Sequence, residues 1–312
     1  VSPSRVALLY AFAFAAAWAG LELVAARLQG GYDVLQVEGC RFAAQLLFML
    51  ALWGWRGPAP LWRTRRPFAQ LLRAGLMLAI PLGFGIAVLQ GATPHLALTG
   101  LWVAPVLALA LAQVRGGDRV PLGLWVAGAA GLLATVAMLD PARPATLQAA
   151  WVPLGMGLAF ALYLALTRSL RDEPVLTNLF YVGLGGLLGV LPLLPAVWVA
   201  PSGHDAAVFA VLGLLGFGAL WLLEQALRRW SLPWIAPALY VHVAGLTLAS
   251  LLLRGHRPSL RVACGLLLVA AVGVALWRAA GLRDDPRRAP APGGVWAPAS
   301  GPVPLDDDRA GR

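Results

Sequence analysis

The run ALYVHVAGLTLASLLLRG, Ala238 to Gly255, holds one ring that can carry a proton, His242, in an otherwise apolar stretch. An imidazole changes charge within the physiological pH range, so His242 is either a proton-responsive, ligand-contacting group or a neutral ring bonded to a carbonyl or hydroxyl of a neighbouring segment. Glu22, Glu38 and Arg41 also stand at or inside the ends of apolar runs. Glu38 and Arg41 are three residues apart, on one helical face, and are expected to form an ion pair that lowers the cost of burying either charge. Glu22 is then left without its own partner and, with His242, is the expected titrating group. Hydrolytic and metal chemistry find no support. There is no HExxH motif and no Walker lysine, acids and nucleophiles do not cluster, and His95, His204 and His256 lack metal-ligand spacing. No catalytic residue, metal or cofactor is expected.

The medium around these groups follows from composition. Of 312 residues, 60% are hydrophobic and 12% charged, with a mean hydropathy of +0.75; soluble domains are about 45–50% apolar. Charges, prolines and glycines divide the chain into ten runs suited to membrane helices: Val6–Val24, Gln36–Trp55, Ala69–Leu89, Pro94–Val114, Pro121–Leu139, Ala150–Leu166, Leu176–Val199, Ala207–Leu223, Pro233–Leu253 and Leu260–Trp277. The expected fold is an all-α polytopic membrane protein with ten transmembrane helices in a lipid bilayer. The first run lacks a small-residue cleavage site and is expected to stay as an anchor helix.

All 24 basic residues are arginines, and they fall between apolar runs instead of on one face of a soluble module, so nucleic acid is not an expected partner. With the N-terminus inside, eighteen arginines, Arg73 among them, lie in cytoplasmic segments and five outside, which predicts both termini in the cytoplasm. The outside trio Arg254, Arg257 and Arg261 runs against that rule. Glu224 and Gln225 are expected at the inner interface. Cys40 and Cys264 lie far apart in predicted helices, so no disulfide framework is indicated. Residues 281–312, rich in Pro, Gly and charge, are expected to form a disordered cytoplasmic tail.

Sliding the chain on itself by 138 residues places Gly75-Leu76 on Gly213-Leu214, Leu101-Trp102-Val103 on Leu239-Tyr240-Val241, and Gly117-Asp118-Arg119 on Gly255-His256-Arg257. Each pair falls at a matching helix end or turn. Five helices per copy is an odd number, so the second copy must enter the membrane from the opposite side. The expectation is two inverted five-helix repeats, residues 1–140 and 148–280, with a site near the midplane between them. Trp102 and Tyr240 are repeat mates in mid-helix, where interfacial anchoring does not explain them. They either wall an aromatic cavity beside His242 or pack the interior. Pro81, Pro105 and Pro237 lie inside spans and each removes a backbone hydrogen bond, giving kinks that act as hinges or as static shape. Gly183, Gly185, Gly186 and Gly189 are expected to allow close helix packing.

Three stretches carry a family resemblance: CRFAAQLLFMLALW from Cys40, GLWVAPVLALALAQVRGGDRV from Gly100 and EQALRRWSLPWIAPALYVHVAG from Glu224. Through Arg41-Phe42, Pro105, Gly117-Asp118-Arg119-Val120 and the Ala-Leu-Arg-Arg and Ala-Pro-Ala-Leu-Tyr segments, the chain resembles the drug/metabolite transporter superfamily, in particular its EamA-like members, over about residues 5–280. Val243 stands where that family has a proline, and His256 where it has a glutamate. The resemblance implies a non-enzymatic secondary transporter that exports a small metabolite or drug-like compound across a bacterial-type inner membrane by alternating access. It places a cavity among spans 1, 3, 4, 6, 8 and 9, and puts Trp18 and Tyr163 beside it, although position alone also allows them an interfacial role. Glu22 or His242 is the expected site of coupling to protons. Two other readings stand beside it: an integral-membrane enzyme, or a lipid-translocating or accessory subunit acting on lipid-linked substrates.

Overall fold

A computed structural model describes residues 2–28, 30–56, 59–115, 120–141, 147–255 and 257–283. The Gly117-Asp118-Arg119 turn, His256 and residues 284–312 of the expected tail lie outside the described residues, while 281–283 continue the last helix. In chain order the helices are α1 (Pro3–Ala25), α2 (Val34–Trp53), α3 (Ala59–Trp62), α4 (Pro67–Leu89), α5 (Pro94–Leu101), α6 (Ala104–Arg115), α7 (Leu122–Leu139), α8 (Leu147–Ser169), α9 (Val175–Val190), α10 (Leu194–Val197), α11 (Gly203–Arg229), α12 (Leu232–Ile235), α13 (Val241–Arg254) and α14 (Leu260–Arg283). Among the described residues nine helical stretches are long and apolar enough to cross a bilayer, and Val175–Val190 is a shorter apolar helix. The chain is an all-α polytopic membrane protein.

Short polar residues start several of these helices by accepting from backbone N–H groups that a helix start leaves free. Asp33 accepts from Leu35 N at 2.8 Å, Thr93 from Leu96 N at 3.1 Å and Ser202 from Asp205 N at 3.1 Å. Prolines decide where three expected spans depart from a plain helix. The fourth is broken at Trp102-Val103 between α5 and α6, because Pro105 has no N–H for the Leu101 carbonyl. The ninth passes from α12 through a 3-10 stretch, Ala236–Tyr240, that contains Pro237. The seventh ends at Val190 instead of Val199, with Pro192 and Pro195 following. Pro81, by contrast, lies inside an unbroken α4.

The outer surface is apolar: Leu47, Phe68, Leu89, Leu133, Leu252 and Leu267 are all exposed, as suits lipid contact. The polar side chains are inside. Gln36, Arg41, Gln45, Gln70, Arg73, Asn178, Glu224 and His242 are all buried. In hydrocarbon this inversion is required, since an unpaired polar group facing lipid costs several kcal/mol or more, roughly.

Helix α1 packs on α11 and α13, α4 on α8 and α9, α2 on α9 and α11, α8 on α5 and α6, and α7 on α14. Arg5 of α1 lies over the Trp277 ring of α14 at 5.3 Å, so the first helix begins where the last one ends. This is the terminal end of the bundle. Helices α1 and α11 are antiparallel, with Tyr10 on Trp221 and Leu21 against Gly216. Helices α4 and α8 are antiparallel too, with Arg73 reaching Thr167 and Gly83 against Met156. Small residues allow α9 to approach closely: a Cβ on Gly185, Gly186 or Gly189 would stand 2.1–2.6 Å from Ala74, Phe42 or Leu78.

Candidate functional site

His242 lies in the first turn of α13, directly after the stretch interrupted by Pro237, and its side chain is 1% exposed. Its ring lies on the indole of Trp102, which occupies the break between α5 and α6. Both rings therefore come from places where a membrane helix is interrupted. Imidazole Nε2 is 3.3 Å from Oε1 of Glu22 on α1, but the alignment is not that of a hydrogen bond, and neither ring nitrogen has one among the described residues. The same carboxylate oxygen accepts from Trp18 Nε1 at 3.1 Å.

The remaining aromatic candidates join this group. Trp102 meets Tyr240 at a centroid distance of 6.2 Å and Phe160 edge-on at 6.1 Å, and Phe160 stacks on Tyr163 at 6.3 Å. Tyr240 is seated against α7 because position 131 is glycine; a Cβ there would stand 2.0 Å from the ring. Its hydroxyl is buried without a hydrogen-bond partner among the described residues. Trp18, Glu22, His242, Trp102, Tyr240 and Tyr163 are thus one contiguous set drawn from α1, α8 and the two interrupted spans. The Glu22 side chain keeps 27% of its accessible surface, so the set is not sealed on every side.

Beside it, Arg41 Nε donates to Glu38 Oε2 at 2.9 Å. The guanidinium lies over Phe42 at 4.2 Å and within 5.8 Å of the Trp18 ring centre. Its Nη1 is buried and has no hydrogen-bond partner among the described residues. With ionised carboxylates, Glu22, Glu38 and Arg41 sum to one negative charge while His242 is neutral, and to none when it is protonated. A proton or a cationic group on a ligand satisfies the same electrostatic demand. The ring nitrogens of His242, Arg41 Nη1 and the Tyr240 hydroxyl are thus buried polar atoms without hydrogen-bond partners among the described residues, whereas buried polar groups are nearly always partnered. Among the described residues no three His, Cys, Asp or Glu are placed to hold a metal ion.

A second polar cluster lies nearer the terminal end and overturns two expectations. Arg73 of α4 is buried and paired with Glu224 of α11, so it is not a free cytoplasmic charge, nor is Glu224 interfacial. Arg73 also donates to the Asn178 carbonyl. Asn178 Nδ2 donates to Glu224 Oε2 at 3.1 Å, Gln70 Nε2 donates to Asn178 Oδ1 at 2.6 Å, and Arg228 Nε is 3.7 Å from Glu224 Oε2. Pairing and hydrogen bonding offset the desolvation of both charges, which is why they can sit inside. The signal in the sequence was slight: Gln70 and Arg73 share a helical face, while Asn178 and Glu224 interrupt apolar stretches far away.

No protein-family model matches the sequence. The S-adenosylmethionine uptake transporter of Rickettsia prowazekii (strain Madrid E) is 24% identical over 208 residues, 66% of this chain and 70% of that protein. One solved crystal structure superposes with a TM-score of 0.76 at 18% identity, covering 89% of this chain and 98% of the other. That second likeness is one of fold.

Proposed function

We propose that this protein is a secondary transporter that carries a small metabolite or drug-like molecule across a bacterial-type inner membrane by alternating access. The observation that carries the reading is the pairing of buried His242 with the half-buried Glu22, walled by Trp18, Trp102 and Tyr240. Ionisable groups at such depth mark pathways for substrates or protons. The transporter named above supports the class.

Two inverted five-helix repeats, residues 1–140 and 148–280, are part of the proposal. Exchanging each span with the one five places on maps the pairing of α1 with α11 onto that of α8 with α4, and the pairing of α2 with α11 onto that of α9 with α4. It also maps α1 with α13 onto α8 with α6. Helix α8 finishes near Arg73, at the end where α1 starts, which supports halves that begin on opposite sides. Repeats of this kind open alternately to either side of a site at their interface.

Coupling follows from the charge balance. Protonation of His242 or Glu22 and arrival of a cationic ligand group neutralise the same site, so the two compete, which is the basis of exchange. S-adenosylmethionine, a sulfonium cation with an aromatic base, is the first compound to try. Export, implied by the sequence resemblance, and uptake, for which the relative is named, are two directions of one reversible cycle, and the gradients set which one runs. The arginine asymmetry supports a topology with both termini in the cytoplasm.

Counterflow tests this. Sealed liposomes holding only the purified protein and preloaded with unlabelled S-adenosylmethionine, or with members of a panel of aromatic and cationic metabolites, are expected to accumulate labelled external compound transiently. Folded protein that exchanges none of them contradicts the carrier reading and favours the accessory-subunit one.

A further inference from the structure

The cluster around Arg73 takes no part in the site just described, yet it ties together separate pieces of the bundle. Helix α4 packs on α8 and α9, and α11 packs on α1 and α2, while extended packing between α4 and α11 is absent among the described residues. The Arg73–Glu224 pair links these two groups of helices, which otherwise meet chiefly where α2 packs on α9. Asn178 of α9 binds both partners, Arg73 through its carbonyl and Glu224 through its side chain. Arg228, four residues after Glu224, donates to the carbonyls of Arg171 and Glu173 and so fastens the end of α11 to the α8–α9 turn. Arg168 of α8 returns the favour by donating to the carbonyls of Leu227 and Arg228.

All of these contacts lie at the terminal end. Tyr163 stands between the two clusters, 5.7 Å from the Arg73 guanidinium and stacked on Phe160 next to Trp102. The bridge therefore closes the terminal end directly behind the aromatic set.

We infer that Arg73 and Glu224 form the terminal-end gate of the transport cycle, held shut by their ion pair and opened by its hydration. The inference rests on the carrier reading. An ion pair suits a latch because both partners regain hydration when they part, which offsets much of the lost attraction. Two apolar side chains in the same places have no such compensation and stay together. The gate is thus reversible because it is ionic, and an apolar replacement locks it.

Spin labels at Leu9→Cys on α1 and Phe68→Cys on α4, in a chain with Cys40→Ala and Cys264→Ala, report the separation of the two groups in lipid nanodiscs without any substrate. Both label positions are exposed. Glu224→Gln is expected to enlarge a longer-distance population several-fold, whereas the double variant Arg73→Met/Glu224→Met is expected to show the short distance alone. In liposomes that double variant is expected to lose at least nine-tenths of S-adenosylmethionine counterflow, or of counterflow with whichever panel compound the unmodified protein exchanges, while melting no lower than the unmodified protein. Unchanged distances in folded Glu224→Gln, or unimpaired exchange by the double variant, overturns the inference. So does failure of both variants to fold, which assigns the cluster to the static frame. If the unmodified protein exchanges nothing, the carrier reading fails, and the distance measurement still shows whether the latch opens.

Discussion

The imidazole of His242 lies on the indole of Trp102 with ring centroids 4.7 Å apart and planes inclined by 24°. An aromatic pair of this kind contributes about 0.5–1.5 kcal/mol beyond its buried area, and a protonated ring over the same face about as much or more. Trp102→Phe keeps a flat partner, whereas Trp102→Ala removes it. The half-saturation concentration in counterflow is expected to rise about tenfold or more in the alanine variant, roughly 1.4 kcal/mol, and to change little in the phenylalanine one. An alanine variant with unaltered affinity would remove Trp102 from the site.

The seat of Tyr240 is the second point of test. With a Cβ at position 131 meeting the ring at 2.0 Å, Gly131→Ala forces α7 and the interrupted ninth span apart. Overpacking of this kind costs about 1–3 kcal/mol. A lowered melting temperature is expected in detergent, with partial recovery in Gly131→Ala/Tyr240→Ala as the two contact partners couple. Strictly additive losses would show that ring and helix do not press on each other.

Charge burial makes a third prediction, about stability and not gating. Glu224→Gln leaves the buried Arg73 without its counter-charge and is expected to cost about 3–5 kcal/mol, while replacing both partners with methionine is expected to be neutral or stabilising. Thermal unfolding in detergent separates the two. Equal losses in single and double variants would mean that size and shape, not charge, matter at this place.

At the other end of the bundle Arg261 grips Asp140 with two hydrogen bonds, 2.5 and 2.6 Å, both partners largely exposed. These bonds hold the Asp140 carboxyl below its ordinary range. A lowered folded-state value means that the contribution is present above the unfolded value of about 4 and is lost as pH falls through the folded one. Asp140 also has a positive φ of 46°, which asparagine tolerates, so Asp140→Asn removes charge without new backbone strain. The melting temperatures of the two proteins are expected to differ at neutral pH and to converge as pH falls below the ordinary carboxylate range. A gap that stays constant across that range would contradict the assignment.

The number and kind of the elements were legible because apolar length and proline position are local properties. Trp102 and Tyr240 were found by register, and there the 138-residue shift pairs buried with buried: Leu101 with Leu239, Trp102 with Tyr240, Ala104 with His242. In α4 and α11 it fails, since Arg73 is buried while Val211 is 47% exposed. A single ungapped shift therefore does not describe both pairs of spans. The Arg73–Glu224 pair was not legible, because its partners are 151 residues apart and each resembles an ordinary charge at a helix end. Which carboxylate meets His242 was equally hidden, as it depends on how α1 leans on α13.

The central claim is that Glu22 and His242 together form the site where proton and ligand compete. Counterflow rates of the unmodified protein, Glu22→Gln and His242→Ala, measured in parallel between about pH 5 and pH 8 where an imidazole titrates, test it most directly. The unmodified protein is expected to change its rate several-fold over that interval, and both variants to give flat, reduced profiles. Variants that both retain the original pH profile would contradict the claim.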